Sequence, residues 1–547
     1  MTASRPHRRQ REHAASWTRS AGATLALVAA GWLALQISAA AEGEASDVEG
    51  LPIVRIVCAR FDVFDTSQPQ TSQWFYRAAN SLHIVSKESF IRSRLLFKEG
   101  DPYSTALAEE SARVLRELGF INPVEITARR VDGGVEVTVE THDQWTLEAG
   151  GAFGMIGSQE DWRLEFQEKN FLGLGTKAEI QYGSNVERDE TLIGYFDPNI
   201  GASWWQMELS YADRTDGFRE LARVQRPFYA LATPRAMGGL WDRDHRVDHL
   251  YSEGDSVVSG PEQSETASVW YGFRLAGGGD VTRRLTLGLD HRHETFSDWS
   301  WEGTGSPYPT PADRLIDGPR ITFELVTDNF SVLRGFRAWS IQEDVALGPN
   351  FTAGATFSAP AFGGDIPRLL LDGRFDMAHR RGNWLYLGEA SIEGRVDDGD
   401  FQSWVAGAWV GAAQLGRRGW QMRLLADVSR DLDLDRQLTL GADIGLRGWD
   451  PNYFDGCGRA VANVQWRALV KEDLFQVLAL GIEVFADAGT TWDARVGPAT
   501  GGVRFDGGVG IIGDLTTIGL ANIARIEVGF PDDGSGPTVI VSTSALF

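Results

Sequence analysis

Leu446-Arg447-Gly448-Trp449 is the stretch whose residue types and spacing suggest chemistry. It lies inside Gly441-Ala-Asp-Ile-Gly-Leu-Arg-Gly-Trp-Asp-Pro-Asn-Tyr-Phe454, between two runs of alternating strand pattern. A guanidinium offers five donors in a rigid fork, and its natural partner is a carboxylate met edge-on. Two readings stand at this point. In one, the tetrapeptide tips a long loop folded back into a β-barrel, with Arg447 seeking a carboxylate on the inner wall. In the other, it is an ordinary Gly-Trp turn with a solvated arginine. A plain hairpin would want Asn-Gly or Asp-Gly here.

Other reactive constellations are thin. The chain has no Gly-x-Ser-x-Gly nucleophile elbow and no Walker-type phosphate loop. Its Asp and Glu are too dispersed to name a catalytic dyad, so no enzymatic activity is expected. His291 and His293 share a strand face, and Asp244-His245 with Asp248-His249 resembles a metal pair. Two His without a fixed third ligand read as solvated loop or lumen residues, and no metal or cofactor is expected. Cys58 and Cys457 sit in segments that read as separate domains, which argues against a disulfide.

The elements that would position such a loop follow from composition. The chain has 547 residues, enough for two or more domains, with 62 Gly, 19 Trp and 28 Phe. Many short alternating segments and no long apolar helix after residue 40 point to an extensive antiparallel sheet. Arg5, Arg8, Arg9, Arg11 and Arg19 precede an apolar run, Ala21 to Leu35, and then Ala39-Ala40-Ala41. That is the order of a secretory signal, assigned to residues 1–41. Its removal makes a chain of net charge −23 more acidic still, which argues against a nucleic-acid partner.

Residues 50–142 read as strand, helix, helix, strand, strand. The first strand is Pro52 to Phe64, and Trp74 to His83 suggests a helical turn. A helix follows over Lys87 to Phe97, with Ser86 as its cap. A second helix opens at Ser104 or Thr105 and ends at Gly119. Val124-Glu-Ile-Thr-Ala128 and Val135-Glu-Val-Thr-Val139 form a hairpin through Asp132-Gly133-Gly134. A strand edge left open in such a domain can accept an extended peptide.

From residue 143 to 547 the chain alternates with period two, the pattern of a membrane barrel with an apolar outside and a polar lumen. Arg459, Val461, Asn463, Gln465 and Arg467 share one face, and Ala460, Ala462, Val464 and Trp466 the other. Glu483, Phe485 and Asp487 oppose Ile482, Val484, Ala486 and Ala488. Stretches at 503–512, 524–530 and 538–547 complete five strands after Arg447. Trp204, Trp205, Trp299 and Trp301 read as membrane-interface aromatics.

The first domain resembles a polypeptide-transport-associated (POTRA) domain in element order and in two phrases, Leu95-Leu-Phe-Lys-Glu-Gly-Asp-Pro-Tyr-Ser104 and Leu115-Arg-Glu-Leu-Gly-Phe-Ile121. It departs by an extra segment of roughly twenty residues before the first helix, too long for a tight turn. Leu-Arg-Gly-Trp with five following strands, Phe-Ala-Asp-Ala-Gly-Thr-Thr-Trp492 on the second of them and a terminal Phe547 is similar to the BamA/TamA branch of the bacterial surface antigen family. Asn170-Phe-Leu-Gly-Leu-Gly-Thr176 and Arg226-Pro-Phe-Tyr229 add to the likeness. The resemblance implies an α+β POTRA-like domain (β-α-α-β-β) in the periplasm, then an all-β, 16-stranded transmembrane antiparallel barrel in the outer membrane. It further implies that Arg447 pairs with Asp487 first and Glu483 second, and that Phe547 is a C-terminal assembly signal. A Glu is often found in the family where Gln465 stands.

The function so implied is insertion or export of unfolded or secreted polypeptide clients, with outer-membrane lipid and periplasmic accessory proteins as partners. A dedicated two-partner secretion pore, or a passive outer-membrane channel, is the alternative.

Overall fold

The computed structural model describes residues 48–63, 74, 77, 80, 81, 83–156, 159–276, 281–474, 478–515 and 523–542. The expected leader and Phe547 lie outside these residues.

The N-terminal domain contains β1 (Ile53–Phe61), α1 (Glu88–Ser93), α2 (Thr105–Arg116), β2 (Ile121–Val131) and β3 (Gly134–Asp143). The sheet order is β1-β3-β2, with β1 parallel and β2 antiparallel to the central β3. Alternation on β3 buries Val135, Val137 and Val139, and α2 buries Ala108, Ala112, Val114 and Leu115. Gly119, at φ 78°, ends the α2 segment. Trp74, Arg77, Asn80 and Ser81 are helical, and the rest of that turn is not described. Two expectations need correction. Helix α1 stops at Ser93 rather than Phe97, with Arg94 as its C-cap and the Arg94 side chain reaching the Pro198 carbonyl. Ser86 is not its cap: Lys87 holds that position without a side-chain bond, and the Ser86 hydroxyl donates to Asp143 at 2.9 Å.

The remaining strands are β4 (Leu147–Ile156), β5 (Gln159–Phe171), β6 (Thr176–Ser184), β7 (Asp189–Ile200), β8 (Trp205–Arg214), β9 (Gly217–Arg226), β10 (Arg235–Ser252), β11 (Asp255–Arg274), β12 (Val281–Phe296), β13 (Ser300–Trp301), β14 (Arg314–Thr327), β15 (Phe330–Leu333), β16 (Glu343–Ala346) and β17 (Gly348–Ser358). They continue as β18 (Arg368–Arg381), β19 (Trp384–Asp397), β20 (Asp400–Gln414), β21 (Arg418–Arg430), β22 (Leu438–Leu440), β23 (Phe454–Gly456), β24 (Gly458–Leu474), β25 (Leu478–Trp492), β26 (Arg504–Leu515), β27 (Ile523–Pro531) and β28 (Thr538–Ser542).

All but two small hairpins, β15–β16 and β22–β23, join one antiparallel sheet that closes on itself, β28 pairing with β4. Among the described residues the ring has twenty strands of five or more residues, with the two-residue β13 added beside β11. This corrects the expected sixteen. Sixteen strands over residues 143–547 would leave about 25 residues for each strand and its connection, but several connections are as short as a turn can be. Glu253-Gly254 joins β10 to β11 and Asp398-Gly399 joins β19 to β20, all four residues at positive φ, as tight two-residue hairpins require.

The pleat sorts side chains by polarity. Leu164, Ile193, Val269, Leu289, Ile321, Leu424, Val484 and Ile526 are exposed on the outside, while Gln465, Arg467, Glu483, Asp487 and Glu527 are buried inside. An apolar belt around a whole ring is far larger than a water-facing surface tolerates, and a ring with its ladders paired satisfies its backbone without water. None of the described helices is long and apolar enough to cross a membrane.

Candidate functional site

The segment 431–457 between β21 and β24 does not extend outward from the ring. It is held to the inner wall at several points. Asp433 accepts two bonds from Arg395 on β19 at 2.6 and 2.7 Å, and Asp435 accepts from Arg314 on β14 at 2.9 and 3.2 Å. Gln437 exchanges bonds with the backbone of Tyr251 at 2.9 and 2.7 Å. Asp455 accepts the backbone N–H groups of Arg495, Val496 and Gly497.

At the tip the backbone turns tightly, with the N–H groups of Ile444, Gly445 and Leu446 converging on the Gly441 carbonyl. Leu446 and Trp449 bury themselves with Leu440, Phe454 and Val461. Beside this apolar packing Arg447 is buried, with 7% of its surface exposed. Its Nε donates to Asp487 Oδ2 at 2.8 Å and its Nη2 to Asp487 Oδ1 at 2.9 Å. Its Nη1 donates to Glu527 at 2.7 Å and to Gln465 Oε1 at 3.1 Å. The guanidinium carbon stands 3.7 Å from the centre of the Phe485 ring. Asn463 donates to both Asp487, at 2.7 Å, and the Gly445 carbonyl, at 2.5 Å, joining wall and loop.

Gly448 is required by space. A Cβ there would lie 2.6 Å from Asp506 Cβ and 2.9 Å from the Pro531 nitrogen. Thr538 on the last strand donates to the Gly448 carbonyl at 2.7 Å. The tip therefore reaches strands β24 to β28.

The structure brings Arg447 to Asp487. It does not bring it to Glu483, which accepts from Arg525 on β27 at 3.1 Å. The second carboxylate on Arg447 is Glu527, which sequence reasoning missed. A polar Glu at an inward position of Ala524-Arg-Ile-Glu-Val-Gly-Phe530 was the available signal. Gln465 supplies a neutral acceptor beside the two carboxylates.

A second constellation lies where the N-terminal domain meets the ring. The β5–β6 turn inserts Gly175 against the Phe90 ring, and Gly173 accepts from the Lys87 N–H at 2.9 Å. Asn170 donates to Ser86 Oγ at 3.0 Å and to the Ile84 carbonyl at 3.2 Å. Beneath them, Ser86 donates from N and Oγ to Asp143 at 2.6 and 2.9 Å, and His83 sits between Asp62 and Asp143. Burial pushes the Asp143 carboxyl up to about 6, against the opposing pull of the Ser86 donors and His83. Arg94 donates to the Pro198 carbonyl at 3.1 Å and lies 4.5 Å from the centre of the Trp204 ring; burial lowers it to about 10.

Trp299, expected at the membrane interface, is internal, whereas Trp204 is half-buried. Trp204 stacks on Tyr229 under Arg94, and Trp299 is buried with Leu250, Val258 and Phe296. At Trp299 an available apolar pocket outcompeted the membrane surface. His291 bonds Asp317, and no metal-ligating cluster exists among the described residues. Cys58 and Cys457 are free.

No family model and no curated protein matches the chain. Among solved structures, it is similar to BamA from Haemophilus ducreyi lacking POTRA domains 1–3, at 13% identity and TM-score 0.38, over 90% of this chain and 84% of that one. It is also similar to CdiB from Escherichia coli, at 12% identity and TM-score 0.43, over 93% and 92%. For CdiB from Acinetobacter baumannii the values are 10% identity and TM-score 0.43, over 90% and 73%.

Proposed function

We propose that this chain is an outer-membrane barrel of the BamA/TamA type that inserts or exports polypeptides, with residues 50–142 as a POTRA-like domain at the periplasmic end. The observation that carries the reading is the buried fork of Arg447 on Asp487 and Glu527. It holds a loop inside a closed sheet whose outside is apolar. A loop fixed in this way keeps the lumen side of the last five strands ordered, since each of them touches it.

The seam supports the same reading. The first and last strands meet antiparallel, with Ile540 opposite Ile156 and Val541 opposite Met155. Where the first and last strands part, they present backbone donors and acceptors that lipid cannot satisfy and a client strand can. The outer edge of β2 in the three-stranded sheet offers a further place for an extended chain.

The test is Arg447→Ala. Loss of client delivery, with the barrel still inserted in outer membranes, is expected; unchanged assembly and delivery would remove the loop from the mechanism. A secretion pore or passive channel is favoured by one observation, a charged lumen cavity of about 1090 Å³ lined by residues such as Arg246, Glu262, Arg320 and Asp372. Delivery of a single dedicated partner, with no effect on other barrels, would select that reading.

A further inference from the structure

The connection between β14 and β17, residues 328–347, is long for the end of the ring at which it lies. At that same end β18 and β19 are joined by Gly382 and Asn383 alone. Its middle, Arg334-Gly-Phe-Arg-Ala-Trp-Ser340, is folded against the inner wall. Phe336 and Leu333 are buried with Ala378, Leu385 and Ala413, and Ala338 with Ile512 and Ile523.

The wall is shaped to receive it. Arg467 on β24 is 1% exposed and donates to the carbonyls of Gly335 (2.8 Å), Phe336 and Arg337 (2.7 Å). Asp514 on β26 accepts the N–H groups of Trp339 and Ser340 and the Ser340 hydroxyl, at 2.5, 2.9 and 2.5 Å. One wall cation thus serves the segment's carbonyls and one wall anion its amides. Between them, β25 carries Gly481, where a Cβ would strike the Trp339 ring at 2.5 Å.

The N-terminal domain holds the outer part of the same segment. Arg116 at the end of α2 meets Asp344 through Nε and Nη2, both at 2.7 Å. Asn122 donates to the Gln342 carbonyl at 3.2 Å, and the Arg113 guanidinium lies 4.2 Å from the centre of the Phe330 ring. The same domain covers the turns β5–β6, β7–β8 and β9–β10, the last through Glu110 accepting from the Leu231 N–H at 2.6 Å. One part of the ring's mouth is covered by the domain and another, β18 to β27, by the segment. Arg116–Asp344 lies at their joint.

We propose that residues 328–347 form a plug closing the near mouth of the lumen, latched shut by α2 through Arg116 and Asp344. Movement of the N-terminal domain releases the latch and lets the plug withdraw. This rests on the membrane-barrel part of the function above, not on its client.

The test is single-channel conductance of the full chain in planar bilayers without client. Arg116→Glu and Asp344→Arg are each expected to raise the open fraction about tenfold, the effect of losing roughly 1.4 kcal/mol of latch. The double reversal is expected to return it to the starting value. Equal conductance in all four proteins, each retaining heat-modifiable gel mobility, overturns the proposal. Should a reversal fail to fold, Arg116→Cys with Asp344→Cys on a Cys58→Ser, Cys457→Ser background replaces it. Joining the thiols with a short bismaleimide must lower the open fraction relative to the unjoined protein; no difference overturns the latch. Client delivery is read separately with Arg447→Ala, so failure of one idea is distinguishable from failure of the other.

Discussion

Glu483 lies four residues before Asp487 on the same inward face of β25, yet it is Arg525 and not Arg447 that takes it, at 3.1 Å. The register of β25, β26 and β27 places Glu527 opposite Gly510, which itself faces Glu483. Arg525 therefore holds Glu483, while Arg447 on the loop takes both Asp487 and Glu527.

Separate roles for the three acids follow. Asp487→Asn and Glu527→Gln should free the loop tip, since each leaves a buried guanidinium short of charge. Breaking such a pair costs about 3–5 kcal/mol. Glu483→Gln should leave the tip docked. Limited proteolysis within 441–454 reads this directly, and equal cleavage in all three variants would contradict it.

Gly448→Ala should weaken the docked tip without removing a charge. The added Cβ meets backbone and Cβ atoms of two wall strands, not a flexible side-chain end. Overpacking of this kind costs about 1–3 kcal/mol. Lower resistance of the barrel to heat in gel mobility is the expected result, and Gly534→Ala, with open space around it, provides the control for a glycine change alone; its own positive φ carries a strain cost that the comparison must exceed.

The junction should loosen as pH rises. Asp143 holds its proton up to about 6 in the folded protein, against about 3.9 for a free carboxyl. Between those values the folded state binds more protons than the unfolded one. Its contribution is therefore greatest below pH 4 and is lost as pH rises through 6, by at most about 1.4 kcal/mol per pH unit. The groups facing it are His83, Asp62 and the Ser86 donors. Amide exchange at Ser86 and Lys87, corrected for intrinsic rates, should quicken over this range, and Asp143→Asn should flatten the dependence.

Gly175→Ala should undock the N-terminal domain while leaving the ring intact. A Cβ at this position, where φ is +68°, would fall 2.1 Å from the Phe90 ring. Faster trypsin cleavage at the junction, with unaltered heat-modifiable mobility, is the expected pair of readings.

Period-two alternation determined the wall from sequence alone: on β24 and β25 it assigned inward and outward faces residue by residue, because a pleat leaves no other choice. The Arg447 motif marked a loop, and five strands after it were legible from their own turns. The number of strands before it was not, since tight hairpins and long loops consume residues differently and carry similar turn signals. Nor was the plug, whose Arg334-Gly-Phe-Arg-Ala-Trp-Ser340 has no period and reads as an ordinary connection. Which carboxylate meets which arginine was decided only by the closed sheet. Register sets distances between strands that are far apart in sequence, and no local pattern contains that information.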